Sequence, residues 1–548
     1  MTLHFSSLRS LLLFGLCACL SLQVGRSAPQ NSEQTPTKTP APIVHFTDVA
    51  AKVGLTASVV FGGEKTKKYI IETTGTSVAI FDYDNDGFED LYVTYYGKNI
   101  LYHNNGNGTF TDVSEKAGVA GNGKMWGTGC AFVDYDRDGK LDLMVANYVD
   151  YDSATALAPG ERPSCMWKGV PVMCGPRGLP GAKNILYHNL GNGTFEDVTK
   201  KAKIDQTNGH YAFSVSTLDY DDDGWPDIFV ACDSTASILY HNNHDGTFTD
   251  VAVISGAAFN DDGREQAGMG STVGDYDGDG RPDIFKTNFS DDTSTLLHNN
   301  GDGTFDDKTF PAGFGLNTQY LGWGTMFLDV DNDGWPDLLL VNGHVYPEVD
   351  SQHLGSSFLE PKILYHNNGN GTFTDISASA GPAITALSSA RGLAVGDLWN
   401  DGRMSAVISN MNAPPMLLVN DMRNGNHWIA FRTIGTFKSD AKDVKEIKEI
   451  KDKANGEASA IPFASNRDGI GAKITVKAGE RLLVDEVRSG SSFDSNSDIR
   501  VHFGLGSAAT IEWVQVRWPS GLVEHFENLA VDSIRTLKEG SGIRSEKK

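Results

Sequence analysis

Five short segments of the chain carry aspartates at a fixed spacing that suits a hard cation. They read DYDNDGFED from Asp82, DYDRDGKLD from Asp134, DYDDDGWPD from Asp219, DYDGDGRPD from Asp275 and DVDNDGWPD from Asp329. Positions 1, 3, 5 and 9 are always aspartate, and the glycine after position 5 allows a sharp turn that brings the carboxylates toward one centre. Four carboxylates and the backbone carbonyl of position 7 form an all-oxygen ligand set that Ca²⁺ accepts, whereas Mg²⁺ favours a strict octahedron with several waters. We therefore predict about five Ca²⁺ ions.

Each predicted site takes all its ligands from one segment. The predicted side-chain ligands are Asp82, Asp84, Asp86 and Asp90; Asp134, Asp136, Asp138 and Asp142; Asp219, Asp221, Asp223 and Asp227; Asp275, Asp277, Asp279 and Asp283; and Asp329, Asp331, Asp333 and Asp337. The predicted carbonyl ligands belong to Phe88, Lys140, Trp225, Arg281 and Trp335. A sixth segment, DLWNDGRMS from Asp397, has Trp399 and Ser405 at positions 3 and 9, and we expect it to be empty or weak.

Two other readings of these segments are less consistent with the sequence. An EF-hand loop needs a glutamate at position 12 and flanking helices, but position 12 is valine, lysine or leucine here and the flanks are typical of strands. Acidic turns without an ion are disfavoured by repulsion, since two like charges ~4 Å apart repel by about 4 kcal/mol at an effective dielectric near 20.

The aspartate segments belong to a repeat that predicts a β-propeller. Each of the first five is followed by a second landmark, such as LYHNNGNGTFTDV from Leu101. Each unit reads as four short strands joined by turns, which is typical of a propeller blade. FTDV at Phe46 resembles a fourth strand that precedes any first strand, so we predict that it completes the sixth blade and closes the ring. The repeat count gives six blades, and seven stay possible.

The landmark histidines recur once per repeat. They are His103, His188, His241, His298 and His366. Five residues distributed over five blades cannot converge on one metal ion, so we interpret them as turn-packing residues.

The N-terminus and the cysteines indicate export. The apolar stretch Leu11–Leu22 is too short to span a bilayer but fits a signal peptide, which we place at 1–27, with a Ser/Pro/Gln linker at 28–43. Lipidation at Cys19 is the alternative and would leave an N-terminal lipid anchor. We expect Cys165 and Cys174, in a Pro/Gly-rich loop, to form a disulfide. The protein is then secreted, periplasmic or on the cell surface.

These motifs together resemble a known combination of domains. The aspartate loops resemble FG-GAP (VCBS-type) repeats, which bind structural calcium in the seven-bladed propeller of integrin alpha chains. NRDGIGAKITVKAGE from Asn466 and VQVRWPSGLVEHFENL from Val514 resemble an ASPIC/UnbV domain. The pair resembles the cartilage acidic protein family and its bacterial relatives.

The resemblance and the strand patterns together divide the chain. We predict a propeller at 44–422, an ASPIC/UnbV domain at 423–540 with a charged insertion at 437–465, and a tail at 541–548. Alternation of apolar and polar residues predicts a small β-sandwich for the second domain. The fold class is therefore all-β.

Two functions remain open at this stage. With 70 acidic and 46 basic residues, the chain is a poor partner for nucleic acid. We expect a calcium-binding scaffold that engages an extracellular protein or glycan. The alternative is an extracytoplasmic enzyme with an active site on the propeller axis, but the sequence has no HExxH, GxSxG or P-loop motif. The segment NGHVYPEVD, with His344 and Glu348, is the best place to look for such chemistry, although we favour a loop that caps a blade.

Overall fold

Each sequence repeat folds into one four-stranded antiparallel sheet of a six-bladed propeller. The computed structural model describes residues 43–207, 209–351, 355–421, 424–436 and 464–544. The predicted signal peptide, Cys19, most of the linker and most of the charged insertion lie outside these residues.

The strands of the propeller region alternate with short turns and single-turn helices. They are β1 (Phe46–Asp48), β2 (Val78–Phe81), β3 (Asp90–Val93), β4 (Tyr96–Gly97), β5 (Ile100–Asn104), β6 (Phe110–Asp112), β7 (Met125–Val133), β8 (Asp142–Asn147), β9 (Met166–Trp167), β10 (Val170–Pro171), β11 (Ile185–Asn189), β12 (Phe195–Asp197), β13 (Ala212–Leu218), β14 (Asp227–Cys232), β15 (Ile238–Asn242), β16 (Phe248–Asp250), β17 (Ser271–Gly274), β18 (Asp283–Lys286), β19 (Thr295–Asn299), β20 (Phe305–Asp307), β21 (Gly322–Leu328), β22 (Asp337–Asn342), β23 (Ile363–Asn367), β24 (Phe373–Asp375), β25 (Ala390–Gly396), β26 (Ser405–Asn410) and β27 (Met416–Asn420). The α-helices are α1 (Ser114–Ala117), α2 (Ala252–Ser255), α3 (Thr309–Ala312) and α4 (Pro382–Thr385), and 3-10 turns cover Ala51–Val53, Ile70–Glu72, Pro163–Cys165, Ile204–Thr207 and Pro347–Ser351.

The six blades follow one another around the ring. Blades 1 to 5 are β2-β3-β5-β6, β7-β8-β11-β12, β13 to β16, β17 to β20 and β21 to β24, and β4 extends blade 2 along β7. The middle strands β8 and β14 are buried at every position, because both faces of a blade are covered by neighbouring blades. The repeat count of six is confirmed.

The ring closes by joining its two ends, as predicted. Strand β1 pairs with β27, with Phe46 opposite Asn420, so blade 6 has the order β25-β26-β27-β1. Phe46 is completely buried. Because blade 6 is assembled from both ends of the domain, neither β1 nor β27 is left without a partner strand.

The C-terminal domain is a β-sandwich of two sheets, as predicted. Its strands are β28 (His427–Ile434), β29 (Lys473–Ala478), β30 (Arg481–Glu486), β31 (Val501–Gly506), β32 (Trp513–Arg517), β33 (Val523–Phe526), β34 (Ser533–Lys538) and β35 (Ile543–Arg544). One sheet has the order β31-β28-β34 and the other β30-β29-β32-β33-β35. The last strand reaches Arg544, so ordered structure continues into the segment that the sequence assigned to a tail.

One loop of the sandwich enters the axis of the propeller. We call residues 487–498 (VRSGSSFDSNSD) the plug loop. The Phe493 side chain is completely buried, and its ring centroid lies 4.6 Å from that of Trp323 and 5.3 Å from that of Phe213. Hydrogen bonds join the plug loop to the inner strands of five blades, at Phe132, Thr217, Ser271, Thr325 and Val395. The axis is therefore filled from this end.

A second segment covers the opposite end of the axis. We call residues 148–184, which join β8 to β11 of blade 2, the cap excursion. Cys165 and Cys174 form a disulfide within it, which confirms the predicted bridge. The ring of Trp167 lies 4.7 Å from that of His344 in blade 5, and Lys168 Nζ lies 2.8 Å from Asp291 Oδ2 in blade 4. The cap excursion therefore crosses the axis from blade 2 to the other side of the ring.

Candidate metal centre

The aspartate loops connect the first and second strands of every blade, so all six lie on one face of the ring. We number them loops 1 to 6 after their blades. Position 1 directly follows the first strand in loops 1 to 6, and position 9 begins the second strand. Position 6 is a glycine with positive φ, for example Gly87 at +104°, and position 4 is left-handed as well, for example Asn332 at +57°. Two left-handed residues in one short loop turn the chain back sharply, which brings positions 1, 3 and 5 together.

The aspartates at positions 1 and 9 hold the loop backbone. In loop 1 the N–H groups of Asp86 and Gly87 donate to the two carboxylate oxygens of Asp82, at 3.0 and 2.9 Å. Asp90 Oδ2 accepts from Tyr83 N–H at 3.2 Å, and Asp90 Oδ1 accepts from Asn104 N–H at 2.7 Å. The same pattern recurs in loop 5, at Asp329 and Asp337. These two carboxylates therefore fix the loop to the blade.

The aspartates at positions 3 and 5 converge with a histidine of the third strand. In each group one ligand atom per residue lies within 4.8 Å of the others. The five groups are Asp84, Asp86 and His103; Asp136, Asp138 and His188; Asp221, Asp223 and His241; Asp277, Asp279 and His298; and Asp331, Asp333 and His366. Each group could hold one metal ion.

The histidines contribute more than the turn packing that the sequence suggested. They do not converge on one ion, as expected, but each one joins the loop of its own blade. The register explains this, because Leu338 pairs with Tyr365 and so places His366 opposite Asp337. His366 Nδ1 lies 2.9 Å from Asp337 Oδ1. A sequence signal for this contact exists: the strand that begins at position 9 pairs with the strand that carries the histidine, so the two can be aligned residue by residue.

Burial and crowding raise the pKa values of the loop carboxylates. Burial raises the pKa of Asp142 and Asp227 to about 7, although the histidine hydrogen bond opposes this shift. Burial and then the neighbouring carboxylates raise the pKa of Asp331 to about 7. The hydrogen bond to Asp337 raises the pKa of His366. Each loop therefore gathers negative charge that a bound cation would stabilise.

The loops differ at position 7. In loops 1, 3 and 5 this residue is aromatic, whereas in loops 2, 4 and 6 it is Lys140, Arg281 or Arg403, each ion-paired with the aspartate at position 5. In loop 6 Arg403 Nε donates to Asp401 Oδ2 at 3.0 Å and Arg403 Nη1 donates to Asn420 O at 2.8 Å. Arg403 thus neutralises the aspartate at position 5 of the degenerate loop.

The sandwich packs on the face that carries the loops. Arg467 forms an ion pair with Asp82 of loop 1, and Arg517 Nη2 lies 2.5 Å from Asp219 Oδ2 of loop 3. Further sandwich arginines donate to backbone oxygens, Arg481 to Asp333 of loop 5 and Arg500 to Asp397 of loop 6. The acidic loops are therefore also a docking surface within the chain.

The segment NGHVYPEVD caps the end of blade 5, as favoured from the sequence. His344 is completely buried, and its Nδ1 accepts the N–H of Tyr346 at 3.1 Å. Burial, and then Arg391, lower the pKa of His344 to about 3. Glu348 Oε1 accepts the N–H of Lys67 at 3.4 Å. These contacts join the segment NGHVYPEVD of blade 5 to the segment that precedes blade 1.

The predicted five-ligand set of each loop stays a prediction. The structure brings positions 3 and 5 together with a histidine and gives positions 1 and 9 backbone partners. All the carboxylates are hard oxygen donors, which fits Ca²⁺. The nitrogen of the histidine is a softer donor, and its Nδ1 faces the aspartate at position 9 in blades 1 to 5.

The propeller fold and the aspartate loops define the class of protein. A family model described as FG-GAP-like repeat matches residues 82–145, 177–230, 219–286 and 275–340. A second, described as ASPIC and UnbV, matches residues 462–544. The chain is thus an FG-GAP-repeat propeller with a C-terminal ASPIC/UnbV domain.

The chain is homologous to cartilage acidic protein 1. The Homo sapiens protein is 23% identical over 466 residues, a match that covers 81% of this chain and 60% of the relative. The Mus musculus protein is 34% identical over 107 residues, covering 19% of this chain and 14% of the relative. The chain therefore spans less than two thirds of these relatives.

Solved structures with propeller-like folds are more distant. A lectin of Agrocybe aegerita, described as recognising non-reducing terminal N-acetylglucosamine, is 18% identical at a TM-score of 0.36, covering 64% of this chain and 81% of that chain. A sialidase of Trypanosoma rangeli is 9% identical at a TM-score of 0.35, covering 79% of this chain and 67% of that chain.

Proposed function

We propose that the protein is an exported calcium-binding scaffold whose five complete loops each hold one ion. One observation carries the calcium proposal: each of five blades gathers two loop carboxylates and a histidine within 4.8 Å, whereas the sixth keeps only the position-5 carboxylate of that group, Asp401, which is paired with Arg403. Lys140 and Arg281 offset part of this negative charge in loops 2 and 4, whereas loops 1, 3 and 5 have an aromatic residue at that position. A bound divalent cation would supply the balancing positive charge.

The residues of each loop suggest how an ion would be held. The aspartates at positions 1, 3, 5 and 9 and the carbonyl of position 7 would supply oxygen ligands. The histidine would stay outside the ligand set and orient the aspartate at position 9 through its Nδ1. The ion would supply positive charge and rigidity, since an oxygen cage filled by protein groups has little room for substrate.

Rigid loops matter here because the sandwich rests on them. Arg467 and Arg517 contact position 1 of loops 1 and 3, so any shift of these loops would move the docking surface. The plug loop depends on the same docking, because it continues from β30 of the sandwich. Calcium would therefore stabilise the association of the two domains as well as each blade.

Several features support binding in preference to catalysis. The plug loop fills the axis at one end and Trp167 and His344 pack across it at the other, which is where the enzyme alternative located its site. The disulfide Cys165–Cys174 and the predicted signal peptide support export. Among the described residues, no helix has both the length and the apolar character needed to cross a membrane.

Calcium titration of chelated protein tests the proposal. Asp277→Asn, at position 3 of loop 4, should remove one of five binding equivalents. Asp302→Asn is the matched control in the same blade, because the corresponding turn residues of blades 1, 2 and 5 are already Asn107, Asn192 and Asn370. It should bind five ions. Equal stoichiometry in the two variants, or no calcium binding by the unmodified protein, would contradict the proposal.

A further inference from the structure

A small basic pocket lies on the face of the propeller that the sandwich does not cover. Its walls come from the cap excursion and from the segment that leads into blade 1. Lys68, Arg162 and Arg177 line it, together with Tyr69 and Tyr151. The disulfide Cys165–Cys174 fixes the cap excursion here, because Cys174 also lines the pocket.

The charge of this pocket is opposite to that of the chain. The protein has a formal net charge of -24, yet the described residues that line the pocket include three cationic side chains and no carboxylate. Within the part of the chain that the structure describes, none of the three makes a side-chain hydrogen bond or ion pair. They are all exposed. Their donors are therefore available to a ligand.

The neighbouring acidic side chains are already engaged by the backbone. Glu72 accepts N–H groups of Gly63, Lys68 and Tyr69 at 2.9 to 3.1 Å. Glu161 Oε2 accepts the N–H of Ala158 at 2.9 Å. Because these carboxylates are held by the backbone, they do not neutralise the three cations by direct contact.

The shape of the pocket limits what it can receive. Its volume is about 30 Å³, where one water needs roughly 10 to 15 Å³ by the same measure, so a carboxylate or sulfate fits but a sugar ring does not. Tyr151 is 6% exposed, and its hydroxyl has no hydrogen-bond partner among the described residues. Tyr69 stands edge-on to Tyr151, with centroids 6.4 Å apart, and is 36% exposed. An exposed aromatic ring at the rim offers a flat surface for a sugar.

We propose that this pocket binds the oxyanion group of an acidic sugar, with the sugar ring against Tyr69. The guanidinium groups of Arg162 and Arg177 would form charge-assisted hydrogen bonds to the oxyanion, as arginine forks do with planar carboxylates. The net negative charge of the protein would disfavour densely charged polymers, so the ligand is a short glycan with isolated acidic groups. This assignment names a ligand class for the scaffold proposed above and rests on it.

Calorimetric titration of the full calcium-loaded protein tests the pocket. Galacturonate supplies a single carboxylate, galactose 6-sulfate supplies a single sulfate, and maltotriose is neutral. At least one acidic sugar should bind more tightly than maltotriose, and which one binds identifies the oxyanion. The double variant Arg162→Gln/Arg177→Gln should raise the Kd tenfold or more. The matched control Lys200→Gln/Lys201→Gln removes the same charge from exposed lysines elsewhere and should change the Kd less than twofold.

Further measurements separate the possible failures. Lys68→Gln, on the other wall, should raise the Kd severalfold, and it decides the question if the arginine variant does not fold. Calcium stoichiometry of the arginine variant should stay at five, so a loss of sugar binding alone leaves the calcium proposal intact. The pocket assignment is overturned if neither acidic sugar binds, if maltotriose binds equally well, or if both double variants weaken binding equally.

Discussion

Loops 5 and 6 occupy neighbouring blades and share the backbone contacts of the aspartate at position 1 but differ in chemistry. Asp329 and Asp397 each accept two backbone N–H groups, from positions 5 and 6 of their own loop, at 2.7 to 3.1 Å. Loop 5 then adds Asp331, Asp337 and His366. Loop 6 has Trp399, Ser405 and Val419 at the corresponding places.

The comparison separates two roles that the complete motif combines: shaping the loop and gathering negative charge. The aspartate at position 1 and the glycine at position 6 shape the loop whether or not the cluster is complete. The remaining carboxylates gather charge, and that charge needs a cation. In loop 6 the cation is Arg403, which belongs to the chain; in loop 5 we propose that it is calcium.

Of the tests of this comparison, removal of calcium should change the stability of the protein most. An ion at 100 times its Kd stabilises the native state by ~2.7 kcal/mol per site, so five sites contribute on the order of 13 kcal/mol. We expect chelation to lower the Tm by about 10 °C or more. Thermal melting with and without a chelator measures the shift, and an unchanged Tm would show that the complete loops need no ion.

The pH dependence of the chelated protein should show the next largest effect. The folded pKa of Asp142 and Asp227 is raised to about 7, above the ~3.9 of an unfolded aspartate, so the folded state binds more protons. The stabilisation that these two raised pKa values give the folded state is complete below about pH 4 and is lost as the pH rises through about 7. We therefore expect the Tm of chelated protein to rise as the pH falls from 8 to 5.

The calcium-loaded protein is the control for that titration. Protons compete with the ion for the same carboxylates, so its Tm should stay level or fall over the same range. If the Tm of the chelated protein and that of the calcium-loaded protein change with pH in the same way, the carboxylates with raised pKa do not belong to ion sites.

A matched pair of substitutions at position 5 compares loops 5 and 6 directly. Asp333→Asn should remove one calcium equivalent and destabilise the loaded protein by roughly 2 to 3 kcal/mol, which is the contribution of one site. Asp401→Asn removes the partner of Arg403 and should cost about 0 to 1 kcal/mol, as for a partly exposed ion pair, with no change in bound calcium. Equal losses of calcium would show that loop 6 also holds an ion.

The smallest effect should come from rebuilding loop 6. Trp399→Asp, Arg403→Trp, Ser405→Asp and Val419→His together restore the pattern of loop 5. The loop backbone is already in place, so calcium binding should increase by one equivalent with a Tm change of a few degrees. The matched control is Arg403→Trp alone, which removes the arginine without adding a ligand and should leave calcium binding unchanged.

The repeat itself made much of the fold predictable from the sequence. Strand alternation and the recurring landmarks give the blades, and the isolated FTDV at Phe46 gives the closure with β27. The disulfide followed from two cysteines in a loop without regular structure. These features depend on local sequence, which is why they could be read without knowing tertiary contacts.

The long-range contacts could not be read in that way. The plug loop is rich in serine and aspartate, which is typical of a solvated turn. The burial of Phe493 depends on strands more than 150 residues earlier in the chain. The histidines were read as packing residues because the pairing of Asp337 with His366 depends on the strand register. Arg467 and Arg517 gave no signal that they contact the loops.

The metal content of the purified protein tests the central claim most directly. After equilibration with calcium and removal of free ions, elemental analysis with a protein assay gives the ions per chain. The account predicts about five calcium ions per chain in the unmodified protein and about four in Asp333→Asn. A folded protein with no bound calcium, or with a transition metal in place of calcium, would contradict it.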